Sequence, residues 1–169
     1  MASDMLSEAF VKEGKYAANF PMFGFERRGM PVTAFLRFDD RPIREKTQIY
    51  APDCLIVFDP GLWRQPPIYA GLKDNGIMVL NYAAPIKEPP NENVGTIGVI
   101  DATGIALQEI GAPISNTCMM GAFAATTGWL SLDALLSSLE DHFEGAILDK
   151  NRRCVERGFK EVQVVNFRR

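Results

Sequence analysis

Cysteine is scarce in this chain of 169 residues: Cys54, Cys118 and Cys154 lie far apart, and no CxxC pair occurs. Histidine is scarcer, with His142 alone. A structural zinc site and an iron–sulfur cluster each draw on four such ligands, so neither is expected from this chain by itself. An odd number of widely spaced cysteines is no disulfide framework, which fits a reducing compartment and a cytoplasmic protein. No apolar run approaches about 20 residues, so no transmembrane helix is expected. The start is acidic and amphipathic, unlike the basic and then apolar regions of a signal peptide. A formal charge of −3 offers no field to attract nucleic acid or an anionic membrane. A glycine-rich phosphate loop is also missing.

What is present is ordinary in bulk, with 47% hydrophobic and 23% charged residues. That suits one domain, and a chain of this size buries roughly 70% of its extended surface. Residues 2 to 13 read as a helix with Met5, Leu6, Ala9 and Phe10 on one face and Gly14 at its end. Tyr16 to Phe20 reads as a short strand. Val32, Ala34, Leu36 and Phe38 alternate with Thr33, Phe35 and Arg37 at strand period, and Ile43-Arg44 is expected to pair back on them. Cys54 to Phe58 and Ile77 to Leu80 are apolar runs expected of strands covered on both faces. Between them a short helix is expected near Ile68 to Lys73. Ile97 to Ile100 makes a third strand and Thr103 to Ile110 a helix stopped by Gly111 and Pro113. This alternation implies parallel strands with right-handed crossovers. The last third reads as helical: Cys118 to Thr127, then Leu132 to Phe143 capped by Ser131, then residues 146 to 163 interrupted near Gly158. The fold class expected is α/β, a Rossmann-like three-layer sandwich with a mostly parallel sheet, a hairpin-like extension and a helical C-terminal third.

Two segments concentrate chemistry. Glu26, Arg27, Arg28 and Gly29 crowd a loop shaped by Gly24 and Pro31, which suits presented ions better than a solvated helix face. Arg27 or Arg28 can bind an anion through its planar fork, or form an ion pair that only shapes the loop. At a loop-to-helix junction, Asn116 or Thr117 can cap a helix whose free N–H groups could receive an anion, or simply cap it. Asp59 and Asn81 end strands where open α/β sheets place ligands, though capping of turns accounts for both. His142 reads as a helix-surface residue, Cys54 as inert in a strand, and Cys118 as a packing residue near a helix start. Phe20, Phe23, Phe25, Phe35 and Phe38 gather about the charged loop, either as core or as an apolar subunit interface.

The pattern FPxxGxERxGxPxxAFxR, carried by residues 20 to 37, resembles the gamma subunit of pyruvate and related 2-oxoacid:ferredoxin oxidoreductases. Asp101 to Ala106, Gly111 to Ile114 and Asn116 to Phe123 fit the same family, and the resemblance spans nearly the whole chain. It implies one gamma-type domain over residues 1–169, lacking the first strand and the GRGGQG-type turn that precede the residues matching Met1 to Ala9. A native start roughly 10 to 20 residues upstream is the favoured expectation, against a sheet whose gap another strand must fill. The implied reaction is oxidative decarboxylation of a 2-oxoacid with transfer of the acyl group to coenzyme A. Thiamine diphosphate with Mg, and 4Fe-4S clusters, belong to the alpha, beta and delta partner subunits, with ferredoxin as electron acceptor. No catalytic residue, metal or tightly held cofactor is assigned to this chain alone. Arg27, Arg28, Gly29, Asn116 and Thr117 are the residues expected to face coenzyme A, the active region or a subunit contact. Self-association through the partner face is expected of the isolated chain. A stand-alone Rossmann-type nucleotide enzyme and a homo-oligomeric scaffold stay open as alternatives.

Overall fold

The computed structural model describes residues 1–22 and 32–168. Its centre is a four-stranded sheet in the order β3-β4-β5-β6. β3 (Cys54–Val57), β4 (Gly76–Asn81) and β5 (Val94–Ile100) run parallel, and β6 (Gln163–Asn166) lies antiparallel on β5. Side chains alternate across β4: Val79 enters the core on one face, while Met78 and Leu80 join Ile97 and Val99 on the other. Four helices and the first helix of the chain crowd the Val79 face. A single 3-10 turn, Pro66–Tyr69, and the loops around Leu72 and Ile86 cover the opposite one.

The α/β class and the mostly parallel sheet agree with expectation, but several local readings are corrected, the partner of the hairpin among them. β2 (Thr33–Asp39) pairs with β1 (Tyr16–Met22), and Ile43-Arg44 forms no strand. β3 is an edge strand, and Cys54, Leu55 and Ile56 are only half-buried, so it is not covered as a central strand would be. The turn Pro66–Tyr69 stands in place of a helix at 68–73, because consecutive prolines start it and Gly71, at φ +76°, packs against the backbone of Tyr50. The helix beginning at Ser131 ends at Leu139, short of Phe143. The final helix is uninterrupted over Gly145–Glu161, and the chain then returns to the sheet as β6.

α3 (Asn116–Thr127) is the buried helix on which this layer is built. Thr117 to Ala124 are all buried, and a helix with no polar side can only be an interior one. Its small residues set how closely neighbours approach. A Cβ placed on Gly121 would lie 2.0 Å from the Val155 carbonyl oxygen of α5 (Gly145–Glu161). A Cβ on Gly158 of α5 would lie 2.0 Å from the Cys118 carbonyl oxygen. Toward the sheet, Gly98 of β5 leaves the space that Thr126 fills.

α1 (Ala2–Lys12) seats Met5, Leu6, Ala9 and Phe10 in the same core and ends at Gly14, at φ +85°. The hairpin lies against it: Ala17, Leu36 and Phe38 pack inward, and Phe38 stacks on Phe10 at 3.9 Å between ring centroids. α4 (Leu132–Leu139) starts at Ser131, whose Oγ accepts the Ala134 N–H. The Ser131 N–H donates in turn to Glu13 Oε1 at 2.6 Å. A capping box normally takes that second acceptor from inside the helix; here α1 supplies it, which fixes α1 and α4 together. Lys12 to Asp141 at 3.0 Å and His142 to Glu8 at 2.6 Å continue the same seam.

Replacing Gly121 or Gly158 by Ala should cost about 3 kcal/mol or more, since a methyl group meets unyielding backbone rather than a flexible side chain. Gly14→Ala, with open space around it, should cost only about 1 kcal/mol from its left-handed backbone. Urea unfolding of the three variants checks the ranking.

Candidate functional site

The carboxyl ends of the parallel strands converge on Asn81, which is 2% exposed. Its Nδ2 donates to the Phe58 carbonyl at 2.9 Å and to Thr103 Oγ1 at 2.8 Å. Its Oδ1 accepts the N–H groups of Ala102 at 3.0 Å and Thr103 at 3.3 Å. Asn81 thus ties the end of β3 to the start of α2 (Ala102–Glu109). Asp101 caps α2 by accepting the Gly104 N–H, and Asp59 accepts the Gly61 N–H in the turn after β3. All three side chains at strand ends are therefore engaged in shaping turns.

Beside α2 opens a cleft of about 310 Å³ with Tyr82, Asp101, Gln108, Arg157 and Glu161 in its wall. Arg157 is spent there on its own neighbours. Nε and Nη2 grip both oxygens of Glu161, and Nη1 reaches Gln108 and Glu109. Arg153 donates to the other Glu109 oxygen at 2.9 Å. The bond from Arg153, then that from Arg157, holds the Glu109 carboxyl below its ordinary value, and Glu161 and Glu109 raise the already high Arg157. Such a forked arginine with two carboxylates clamps α2 to α5 and leaves little fork for an anion. Arg157 was not singled out from the sequence. The signal was available: Arg153 and Arg157 share one helix face at a spacing where like charges repel, so an acid from another element had to come between them.

A second hollow, about 420 Å³ and mostly apolar, lies where α3 and α5 begin, next to Met1 and Met5 of α1. Asn116 and Thr117 are brought together here. Neither caps α3: Ser115 occupies that position, without a side-chain bond to the helix, and both residues lie in the first turn. Thr117 is 2% exposed, and its hydroxyl donates to Asn151 Oδ1 at 2.9 Å, so it joins α3 to α5 from within. Asn116 borders the hollow. Arg27, Arg28 and Gly29 lie outside the described residues, as do Glu26, Phe23 and Phe25.

The thiols are placed for packing. Cys118 and Cys154 are buried at the α3–α5 contact, and burial pushes Cys118 up to about 12 and raises Cys154 and Cys54 as well. Protonated, enclosed thiols are poor ligands and nucleophiles. Among the described residues no group of three or more His, Cys, Asp or Glu side chains could hold a metal ion. No helix among these residues is long and apolar enough to cross a membrane.

Fold and site together describe an α/β domain whose polar groups, among the described residues, largely serve its own construction. The chain belongs to the pyruvate ferredoxin/flavodoxin oxidoreductase family, whose model matches residues 1–161, and its relatives there are gamma subunits. It is 48% identical to the NADH-dependent phenylglyoxylate dehydrogenase subunit gamma of Aromatoleum evansii, over 100% of this chain and 90% of that one. It is 45% identical to the pyruvate/ketoisovalerate oxidoreductases common subunit gamma of Thermococcus kodakarensis, over 96% and 90%. The crystal structure of pyruvate oxidoreductase subunit PORC from Thermotoga maritima superposes with a TM-score of 0.82 at 37% identity, covering 98% of this chain and 90% of that one.

Asn81→Ala strands several buried groups at once and should cost about 3 kcal/mol, measurable by thermal or urea unfolding. The Glu109 clamp has a sign that pH can read. A carboxyl lowered in the fold stabilises above its unfolded value, here 4.5, and that contribution fades as pH falls through the lowered folded value. Glu109→Gln should therefore be less stable than wild type at pH 7, with the gap closing below pH 4.5.

Proposed function

We propose that this chain is the gamma subunit of a thiamine diphosphate-dependent 2-oxoacid:ferredoxin oxidoreductase of the pyruvate type, acting in the cytoplasm. The overall reaction converts a 2-oxoacid anion and coenzyme A to acyl-coenzyme A, carbon dioxide, one proton and two electrons. Thiamine diphosphate with Mg and the 4Fe-4S clusters, held by the alpha, beta and delta subunits, supply the carbanion chemistry and the electron path to ferredoxin. This chain contributes surface: it completes the chamber and helps to seat coenzyme A.

The observation that carries this reading is the length over which gamma subunits match, nearly the whole chain, with no competing reactive constellation among the described residues. Buried high-pKa thiols and a saturated Arg157 leave the chain no obvious nucleophile or anion fork of its own among the described residues. Within the assembly we assign Arg27, Arg28 and Gly29, with Asn116, to the surface facing coenzyme A or the adjoining subunit. Thr117 serves that surface from behind, by holding the first turn of α3 against Asn151.

A second reading of the substrate has a specific basis. The 48% identity is to a subunit of a phenylglyoxylate dehydrogenase, so an aromatic 2-oxoacid and a nicotinamide acceptor form the alternative within the same class.

Co-expression with the subunits encoded beside it tests the proposal. The complete complex should oxidise pyruvate or phenylglyoxylate in the presence of coenzyme A, and the faster substrate assigns the branch. Omission of this chain should lower the rate about a hundredfold, as misplacement of an active-site wall does. Turnover of a 2-oxoacid by the isolated chain would refute the proposal, as would tight binding of a dinucleotide to it.

A further inference from the structure

Three helices open onto the 420 Å³ hollow, and its character differs from the rest of the surface. Met5 forms a fully buried floor, with Phe143 and Ile110 beside it. Ile114 and Ile147 stand on the rim, 50% and 59% exposed, so the apolar surface continues out of the hollow. Exposed aliphatic side chains beside an apolar hollow are the kind of surface that the centre of a protein interface covers. Thr117 and Asn151 satisfy each other in the wall, so an apolar occupant leaves neither unpaired.

Charge narrows the occupant. Among the described residues the lining holds one cationic side chain, Lys150, and no carboxylate side chain; Lys150 makes no ion pair among them, whereas the Met1 ammonium, also in the lining, is paired with Asp4 at 3.0 Å. The first turns of α3 and α5 meet at the same place, and neither helix has a side-chain hydrogen bond at its cap. Their free N–H groups and the positive ends of both helix dipoles add to the Lys150 charge. A second copy is a poor match. A twofold contact brings identical patches together, and this lining has no carboxylate side chain to offer either copy of Lys150. A polyphosphate ligand is poorly served too, because one lysine and an aliphatic rim leave most of its charge unpaired.

We infer that this hollow is the seat of an apolar segment of a neighbouring subunit that carries an acidic side chain to Lys150. The inference rests on the gamma-subunit reading and adds to it the face by which the chain is held. Aliphatic contact supplies the buried centre of the interface, and the single ion pair fixes the segment's register.

Two variants of the full chain, co-expressed with its partner subunits, test it. Ile147→Asp puts a charge on the apolar rim, and Ile147 is exposed enough for the fold to survive; an unchanged melting temperature verifies that. Recovery of partner chains with tagged Ile147→Asp should fall about tenfold or more. Lys150→Glu should do the same, while Lys150→Arg restores assembly. Wild-type stoichiometry with both Ile147→Asp and Lys150→Glu would overturn the inference while leaving the subunit reading intact. So would either of two other results with assembly intact: Ile147→Asp abolishing self-association of the isolated chain, or Lys150→Glu abolishing coenzyme A binding. Failure of the wild-type chain to recover any partner would overturn the subunit reading, and this inference with it.

Discussion

The closeness of α3 to α5 is the constraint on which the rest of the molecule depends. Two glycines set it, Gly121 under the Val155 carbonyl and Gly158 under the Cys118 carbonyl, with no side chain between the backbones at either point. Because α3 also lies on the sheet through Gly98 and Thr126, the position of α5 is passed directly to β5. β6 follows α5 after one residue and pairs with β5, so the helix crossing and the strand pairing must agree. The crossing encloses Cys118 and Cys154, which explains their raised thiols, and it fixes the distance over which Thr117 reaches Asn151. The walls of the apolar hollow are the first turns of the same two helices. A change in helix separation would therefore be felt at the sheet and at the hollow together.

Charge has been used inside the molecule mainly to orient elements. Arg153 and Arg157 of α5 hold Glu109 of α2, with Glu161 bracing Arg157 within α5, while Glu8, Lys12 and Glu13 bind the α1 end of the chain to α4 and the residues just after it. These groups are partly exposed, and each such pair contributes little stability, about 0 to 1 kcal/mol. Their value is geometric. α1 presents few other means of fixing its angle to α4, since its apolar face is already taken by the core, and three polar contacts along one seam settle it. Asn81 does the equivalent at the sheet, where a buried amide that meets four backbone or hydroxyl groups leaves no alternative arrangement of the strand ends.

What could be read from the sequence follows from how local the determining physics is. α1, with its four-residue apolar stripe and Gly14, is specified by its own residues, as are the Ser131 cap and the apolar runs of β4 and β5. The readings that failed depend on partners distant in sequence. Gln163-Val-Val-Asn is too short to show a period, and becomes a strand because β5 offers it an edge more than 60 residues away. Gly158 looks like an interruption to a helix, and its actual role is visible only once Cys118 is seen opposite it. Thr117 has the composition of a cap, yet its hydroxyl goes to Asn151, 34 residues on. β1 was legible as a strand, but its pairing with β2 was not. Of the five candidate site residues, Asn116 and Thr117 come together at a real hollow, through packing of α5 that no local pattern announces. The whole-chain resemblance, in contrast, carries fold and family at once, because a family pattern already encodes those distant partners.

An enzyme distinguishes substrates by contacts that differ between them in the transition state. Where the described polar side chains are largely satisfied by the chain's own backbone and helices, few of them are left to make such contacts. In the role proposed above the chain would supply apolar surface, which favours an assembly equally whatever 2-oxoacid is oxidised. Relatives with similar sequences are accordingly named for complexes acting on phenylglyoxylate, pyruvate and ketoisovalerate. A fold stiffened by two backbone contacts at the α3–α5 crossing and open at an aliphatic hollow suits the structural role proposed above, in which the choice of substrate would rest with neighbouring chains.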